Sequence, residues 1–158
     1  MSSVVTVAHA LIIGYGNPLR SDDGFGWDAA QKLSTCLHDS DLEVLTRHQL
    51  TPELAETASR FQLVIFIDAA VDLPPGELRC ERIAQSEIHR QREASSFSHS
   101  LTPASLLALT AELYAKFPDA YYIQVGGESF AEGESISPAV QAAFEPLLAQ
   151  VRSLLAQG

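Results

Sequence analysis

The segment Leu63-Val64-Ile65-Phe66-Ile67-Asp68 constrains this chain more than any other. An unbroken apolar run of that length does not alternate between a wet and a dry face, so it predicts a central strand buried on both sides. A strand covered on both faces needs a helical layer above and below it, which predicts an α/β fold. The flanking pattern agrees. Ala10–Gly14 reads as a first strand that ends in the turn Gly14-Tyr15-Gly16-Asn17. A helix fits from about Gly24 to Leu37, with Ala29, Ala30, Leu33 and Leu37 on one face, and Leu42–Arg47 reads as a second strand. Three hydroxyl-proline pairs, Thr51-Pro52, Thr102-Pro103 and Ser137-Pro138, each mark a helix start, because the hydroxyl can cap and proline suits the first helical position.

The connection Leu73-Pro74-Pro75-Gly76 is too short to hold a crossover helix, so Glu77–Ile83 is expected to pair antiparallel to its predecessor. Residues 84–98 are expected to form a long structureless return to the opposite edge of the sheet. Tyr121–Val125 reads as the last strand. The final helix runs from Pro138 to about Ala156, kinked or interrupted by Pro146. The sum is a single domain over residues 1–158, a three-layer α/β/α sandwich around a mixed, mostly parallel five-stranded sheet.

Composition narrows the function. Hydrophobic residues make up 46% of the 158 and charged residues 19%, the balance of a chain with a packed core. Twenty Asp+Glu against ten Lys+Arg leave a net charge of −10. So acidic a surface repels a phosphate backbone, and nucleic acid is not an expected partner. No apolar run is long enough to cross a bilayer, and the first residues carry no basic segment of the secretory kind, so no membrane is expected and the cytoplasm is the expected location. The two cysteines, Cys36 and Cys80, offer neither a disulfide framework nor a paired metal motif.

In open parallel sheets, ligands sit beyond the carboxyl ends of the strands. Three stretches are expected to meet there: the loop with Asp22 and Asp23, the end of the third strand at Asp68, and the segment before Thr102 that carries His99. Two carboxylates and an imidazole suit a borderline divalent ion such as nickel or zinc and leave a coordination position open. Each residue also has an ordinary reading, as a turn former, a helix-dipole partner or a solvated loop histidine.

Other chemistries fit less well. Gly14-x-Gly16 suggests a dinucleotide turn, but the third glycine position is Leu19. Gly127-Glu128-Ser129-Phe130-Ala131 approaches a nucleophile elbow, yet no histidine follows it. Cys36 and Cys80 have no histidine placed beside them and read as ordinary small buried residues.

Residues 14–26, GYGNPLRSDDGFG, resemble the amino-terminal signature of the hydrogenase maturation proteases. Val64–Asp68 with Ala69-Ala70 resembles that family's buried strand ending in a ligand aspartate, and Ser98-His99-Ser100-Leu101-Thr102-Pro103 is similar to its histidine segment. The resemblance implies an endopeptidase that removes the C-terminal extension of a nickel–iron hydrogenase large-subunit precursor after nickel insertion. It implies that Asp23, Asp68 and His99 engage the metal and carry the catalysis. The implied ion is nickel carried by the precursor, with zinc or cadmium as expected occupants in vitro. A monomer is the simplest form it implies.

Arg47-His48-Gln49-Leu50 stands where many members carry an acid and glycines. It looks more like the branch serving soluble or bidirectional NAD-linked hydrogenases, and reads as a partner-recognition surface. The mechanism stays open between a metal-assisted reaction, a carboxylate acting as general base, and an aspartic dyad. Two other functions also stay open: a nickel-dependent chaperone that does not cut, and a hydrolase like peptidyl-tRNA hydrolase, which Gly14–Pro18 and Thr46-Arg47-His48 also resemble.

Overall fold

The computed structural model of the chain describes residues 9–94 and 101–157. Its sheet has five strands in the order β2-β1-β3-β5-β4. These are β1 (Ala10–Tyr15), β2 (Leu42–Arg47), β3 (Leu63–Ala70), β4 (Leu78–Arg82) and β5 (Asp119–Gly126). β2, β1, β3 and β5 run parallel, and β4 is antiparallel to β5. The α/β/α sandwich with a mixed, mostly parallel sheet expected from the sequence is therefore observed. β3 lies at its centre, and residues 63–67 are buried on both faces.

The two faces hold separate cores. One packs Ile12, Ile65, Ile67 and Ile123 against α1 (Phe25–Cys36) and α6 (Phe144–Ala156). The other packs Leu11, Ile13, Val64 and Phe66 against α2 (Leu54–Ala58) and α4 (Pro103–Tyr114). The alternation along β1 and β3 divides the residues between the layers, as period-two geometry requires.

Several local expectations are corrected. β4 has the expected direction relative to β3 but is not its neighbour, because β5 lies between them. The connection after β3 therefore skips one strand position, which later chain fills. Residues 85–94 are not structureless but form α3 (Gln85–Ala94). Ile88 is its only buried side chain, so the apolar stripe that signals a helix is nearly absent. β3 runs on to Ala70, which places Asp68 inside the strand and not at its end.

Of the three predicted helix starts, Thr102 is a full cap. Its hydroxyl accepts from the Ser105 N–H at 3.1 Å, and the Ser105 hydroxyl oxygen accepts from the Thr102 N–H at 2.7 Å. α2 begins at Leu54, with no side-chain cap. Thr51 contributes its carbonyl to the Leu54 N–H, through a backbone turn. Ser137 precedes α5 (Pro138–Gln141) but does not cap it, because its hydroxyl is committed elsewhere. The last helical stretch breaks at Ala142-Ala143, just upstream of Pro146. Proline cannot donate to the carbonyl four residues back, and its ring crowds that group, so the break falls at Ala142.

Two features of the loop after β1 decide where the site forms. The first is close packing of α1 on the sheet. A Cβ on Gly14 would stand 2.1 Å from the Gly26 carbonyl oxygen, and one on Gly26 would stand 2.4 Å from the Ile67 oxygen. Only glycine at both positions lets helix and strands touch.

The second is a knot centred on Asp22, which is fully buried. Its carboxylate accepts hydrogen bonds from the backbone N–H groups of Glu128 (2.8 Å), Ser129 (3.0 Å) and Ser137 (2.7 Å), and from the Ser137 hydroxyl (2.7 Å). Ser21 and Gly133 add a backbone bond of 2.7 Å between the same two loops. Burial alone would raise the Asp22 pKa. The donors, led by Ser137, outweigh it and hold the carboxyl below the usual range. The stabilisation from this group is thus present above the unfolded carboxylate value and lost as pH falls through the lower folded value.

Asp22→Asn turns a donor toward donors and leaves buried N–H groups unpaired, at an expected cost of ~2–4 kcal/mol in urea denaturation at pH 7. A loss below ~0.5 kcal/mol, the scale of an ordinary surface change, would show that the knot does not hold the loops.

Candidate active site

The carboxyl edge of the sheet gathers Asp23, Asp68, Tyr15 and Tyr122. Asp23 lies in a short 3-10 turn, Ser21–Gly24, between β1 and α1. One of its oxygens accepts from the Asn17 N–H at 2.9 Å, which closes the loop on itself. The other accepts no hydrogen bond among the described residues. The two acids of the signature are therefore divided by burial. Asp22 is spent on structure, and Asp23 has one oxygen with no hydrogen bond among the described residues.

Gly16 sets the approach of Asp23 to the sheet. A Cβ at Gly16 would stand 2.0 Å from the Asp23 carbonyl oxygen and 3.9 Å from Asp68 Oδ1, and its φ of +145° is one that glycine favours. The absence of a side chain at Gly16 therefore lets the Asp23 backbone come close beside the Asp68 carboxylate.

Asp68 projects from β3 beside Gly16. Its Oδ1 accepts from the Ala69 N–H at 2.8 Å, and its Oδ2 accepts from the Tyr122 hydroxyl at 3.2 Å. The Tyr15 hydroxyl in turn donates to Tyr122 at 3.2 Å, so the three groups form a chain directed at the carboxylate. Burial pushes the Asp68 carboxyl up to about 6. The Ala69 and Tyr122 hydrogen bonds oppose the rise, and the charge of Asp23 adds to it. Burial raises both tyrosines as well, with Tyr122 pushed up to about 12 and Tyr15 higher still, and the Asp68 charge reinforces both. The tyrosines thus remain neutral donors at neutral pH.

Of the three residues singled out by sequence, the structure brings Asp23 and Asp68 together. His99 lies outside the described residues. Among the described residues no three His, Cys, Asp or Glu side chains gather into a metal-binding group. Two carboxylates fit a divalent ion as a partial oxygen set that needs further donors.

Tyr15 and Tyr122 were not foreseen. Each sits in a strand whose apolar face explains it, and only the sheet register reveals the shared hydroxyl chain. The stretch after β2 is partly structural. Leu50 is buried in the second core, and His48 stands edge-on to Trp27, with ring centroids 5.1 Å apart. Cys36 is exposed, against the expectation of a buried thiol, and Cys80 is half-buried.

The raised Asp68 carboxyl has a consequence for stability. Its folded pKa of about 6 lies above the unfolded value of about 3.9. Stability contributed by its proton is complete below the unfolded value and is lost as pH rises through 6, by at most ~3 kcal/mol. Asp68→Asn removes that dependence. The variant is expected to melt above the wild type at pH 7–8 and to lose the advantage near pH 4, as calorimetry across that range would show. An advantage that did not depend on pH would contradict the assigned shift.

No protein-family model and no curated protein sequence matches the chain. Solved structures do. The hydrogenase maturating endopeptidase HybD from E. coli superposes with a TM-score of 0.75 at 23% identity, over 94% of this chain and 92% of that one. A hydrogenase 2 maturation peptidase from Thaumarchaeota archaeon SCGC_AB-539-E09 gives 0.72 at 22% identity, over 94% of this chain and 99% of its own. The [NiFe] hydrogenase maturation protease HycI from Thermococcus kodakarensis KOD1 gives 0.71 at 23% identity, over 93% and 92%. The chain has the fold of the hydrogenase maturation endopeptidases.

Proposed function

We propose that this protein is an endopeptidase that removes the C-terminal extension of a nickel–iron hydrogenase large-subunit precursor after nickel insertion. The carrying observation is the half-buried Asp68 carboxylate within reach of the Asp23 charge at the carboxyl edge of the sheet, on the fold shared with the maturation endopeptidases.

The chemistry follows from the two environments. With its carboxyl near 6, Asp68 is mostly ionised at pH 7 yet basic enough to take a proton from water, the balance a general base needs. The neutral Tyr122 and Tyr15 hydroxyls hold its Oδ2, so the remaining lone pairs face the space beside Gly16. Asp23 lies close enough for its charge to act on the Asp68 carboxyl, and one of its oxygens accepts no hydrogen bond among the described residues. Nickel enters as part of the substrate, and Asp23, Asp68 and His99 are proposed to engage it there. Bound to the precursor, the ion would supply polarisation of the scissile carbonyl. Zinc or cadmium suits the same donors in vitro.

The protein is proposed to act as a monomer in the cytoplasm. Among the described residues no helix is long and apolar enough to cross a membrane. The Arg47-His48 departure supports a substrate from the soluble, NAD-linked hydrogenases.

Intact-mass spectrometry of the nickel-loaded precursor, before and after incubation, tests the reading. Loss of a C-terminal fragment is expected with the wild type and not with Asp68→Asn, whose rate should fall at least ~100-fold. Binding without shortening would leave a chaperone. Full processing by Asp68→Asn would move the catalytic carboxylate elsewhere.

A further inference from the structure

The register of the sheet lays a polar row beside the site. Asp68 on β3 pairs with Gln124 on β5, and Gln124 pairs with Arg79 on β4. Paired residues project from the same face, and so do residues two apart on one strand. Asp68, Gln124 and Arg79 therefore stand side by side on the face that carries Tyr122.

Arg79 is turned inward along that row, since its Nη2 donates to Gln124 Oε1 at 2.5 Å. Its charge reaches the Tyr122 hydroxyl, where it opposes part of the rise caused by burial. Its acidic neighbours satisfy it poorly. Asp72 stands 3.8 Å away and Glu81 3.4 Å away, and their side chains are 66% and 64% exposed, a setting in which ion pairs contribute little. The Arg79 Nε is buried and makes no hydrogen bond among the described residues, its 3.4 Å approach to the exposed Glu81 carboxylate being an ion pair only. A guanidinium with donors to spare, half-buried in a chain of net charge −10, offers a planar fork for a carboxylate.

We infer that Arg79, oriented by Gln124, is a specificity-determining residue that binds a carboxylate of the substrate chain close to the bond that is cut. This rests on the endopeptidase reading for the identity of the substrate. The row also fixes a distance. Neighbouring strands are ~4.8 Å apart, so the backbones of Arg79 and Asp68 lie ~10 Å apart, at most the span of roughly three extended residues. The carboxylate belongs to an acidic side chain about three positions from the scissile bond, or to the chain terminus where the extension is that short.

The test neutralises each carboxylate of the precursor's extension in turn, side chains to amides and the terminus by amidation, and measures processing by wild type, Arg79→Gln and Arg79→Lys. Arg79→Gln should raise KM about tenfold or more, with the loss falling on KM and not on kcat, as expected for a charge-assisted pair. One carboxylate should reproduce that loss with the wild type and add nothing with Arg79→Gln. Arg79→Lys, a charge without the fork, should recover part of it. Losses that simply add at every carboxylate, or an Arg79→Gln defect confined to kcat, would overturn the inference.

A second readout does not require cleavage: the Arg79 Nε–H resonance during titration with a synthetic extension peptide and its all-amide counterpart. A shift with the acidic peptide alone supports carboxylate binding even if the wild type cuts no precursor, which would refute only the endopeptidase reading. No shift in a protein that does cut refutes Arg79.

Discussion

The site depends on how closely the first helix lies against the sheet. At Gly14 and Gly26 the backbones of α1, β1 and β3 approach within distances that exclude any Cβ, and the chain leading into α1 is drawn down onto the strand ends. Gly16 continues the same contact, with the Asp23 backbone where its side chain would be. A substitution at any of the three would lift the 3-10 turn away from β3. Asp23 would then lose both its proximity to Asp68 and its influence on that carboxyl.

Two adjacent acids do opposite work in consequence. Asp22 points into the protein, where backbone N–H groups and a hydroxyl satisfy it and bind the loop after β1 to the loop after β5. Asp23 accepts from the Asn17 N–H and keeps an oxygen without a partner among the described residues. Asp68 represents the other side of the balance. Its burial is only partly compensated, so the protein carries a carboxyl that resists ionisation, as the proposed general base would require. Asp22 stabilises the fold and ionised Asp68 weakens it, a contrast consistent with the role proposed for Asp68.

Much of this was legible in the sequence. The run at 63–67 specified a doubly covered strand through composition alone, and Thr102-Pro103 specified a helix start through local chemistry. The place of β5 between β3 and β4 was not legible, because direction follows from connection length while neighbour choice follows from edges filled later in the chain. α3 escaped because its one buried residue, Ile88, leaves no periodicity to read. At the site, the acids were visible because a polar residue that interrupts or follows an apolar run stands out. Tyr15 and Tyr122 were not, since a tyrosine in a strand is explained by its ring and its hydroxyl partner is set only by register. The division between Asp22 and Asp23 likewise required the fold.

The account turns on the claim that burial and Asp23 together raise the Asp68 carboxyl. Carboxyl-carbon NMR titration of Asp68 in the wild type and in Asp23→Asn measures this directly, without substrate or metal. A midpoint near 6 in the wild type, moving downward when the Asp23 charge is removed, is the predicted result. An ordinary midpoint of about 4 in both proteins would contradict it, since the two carboxylates would then not share a site.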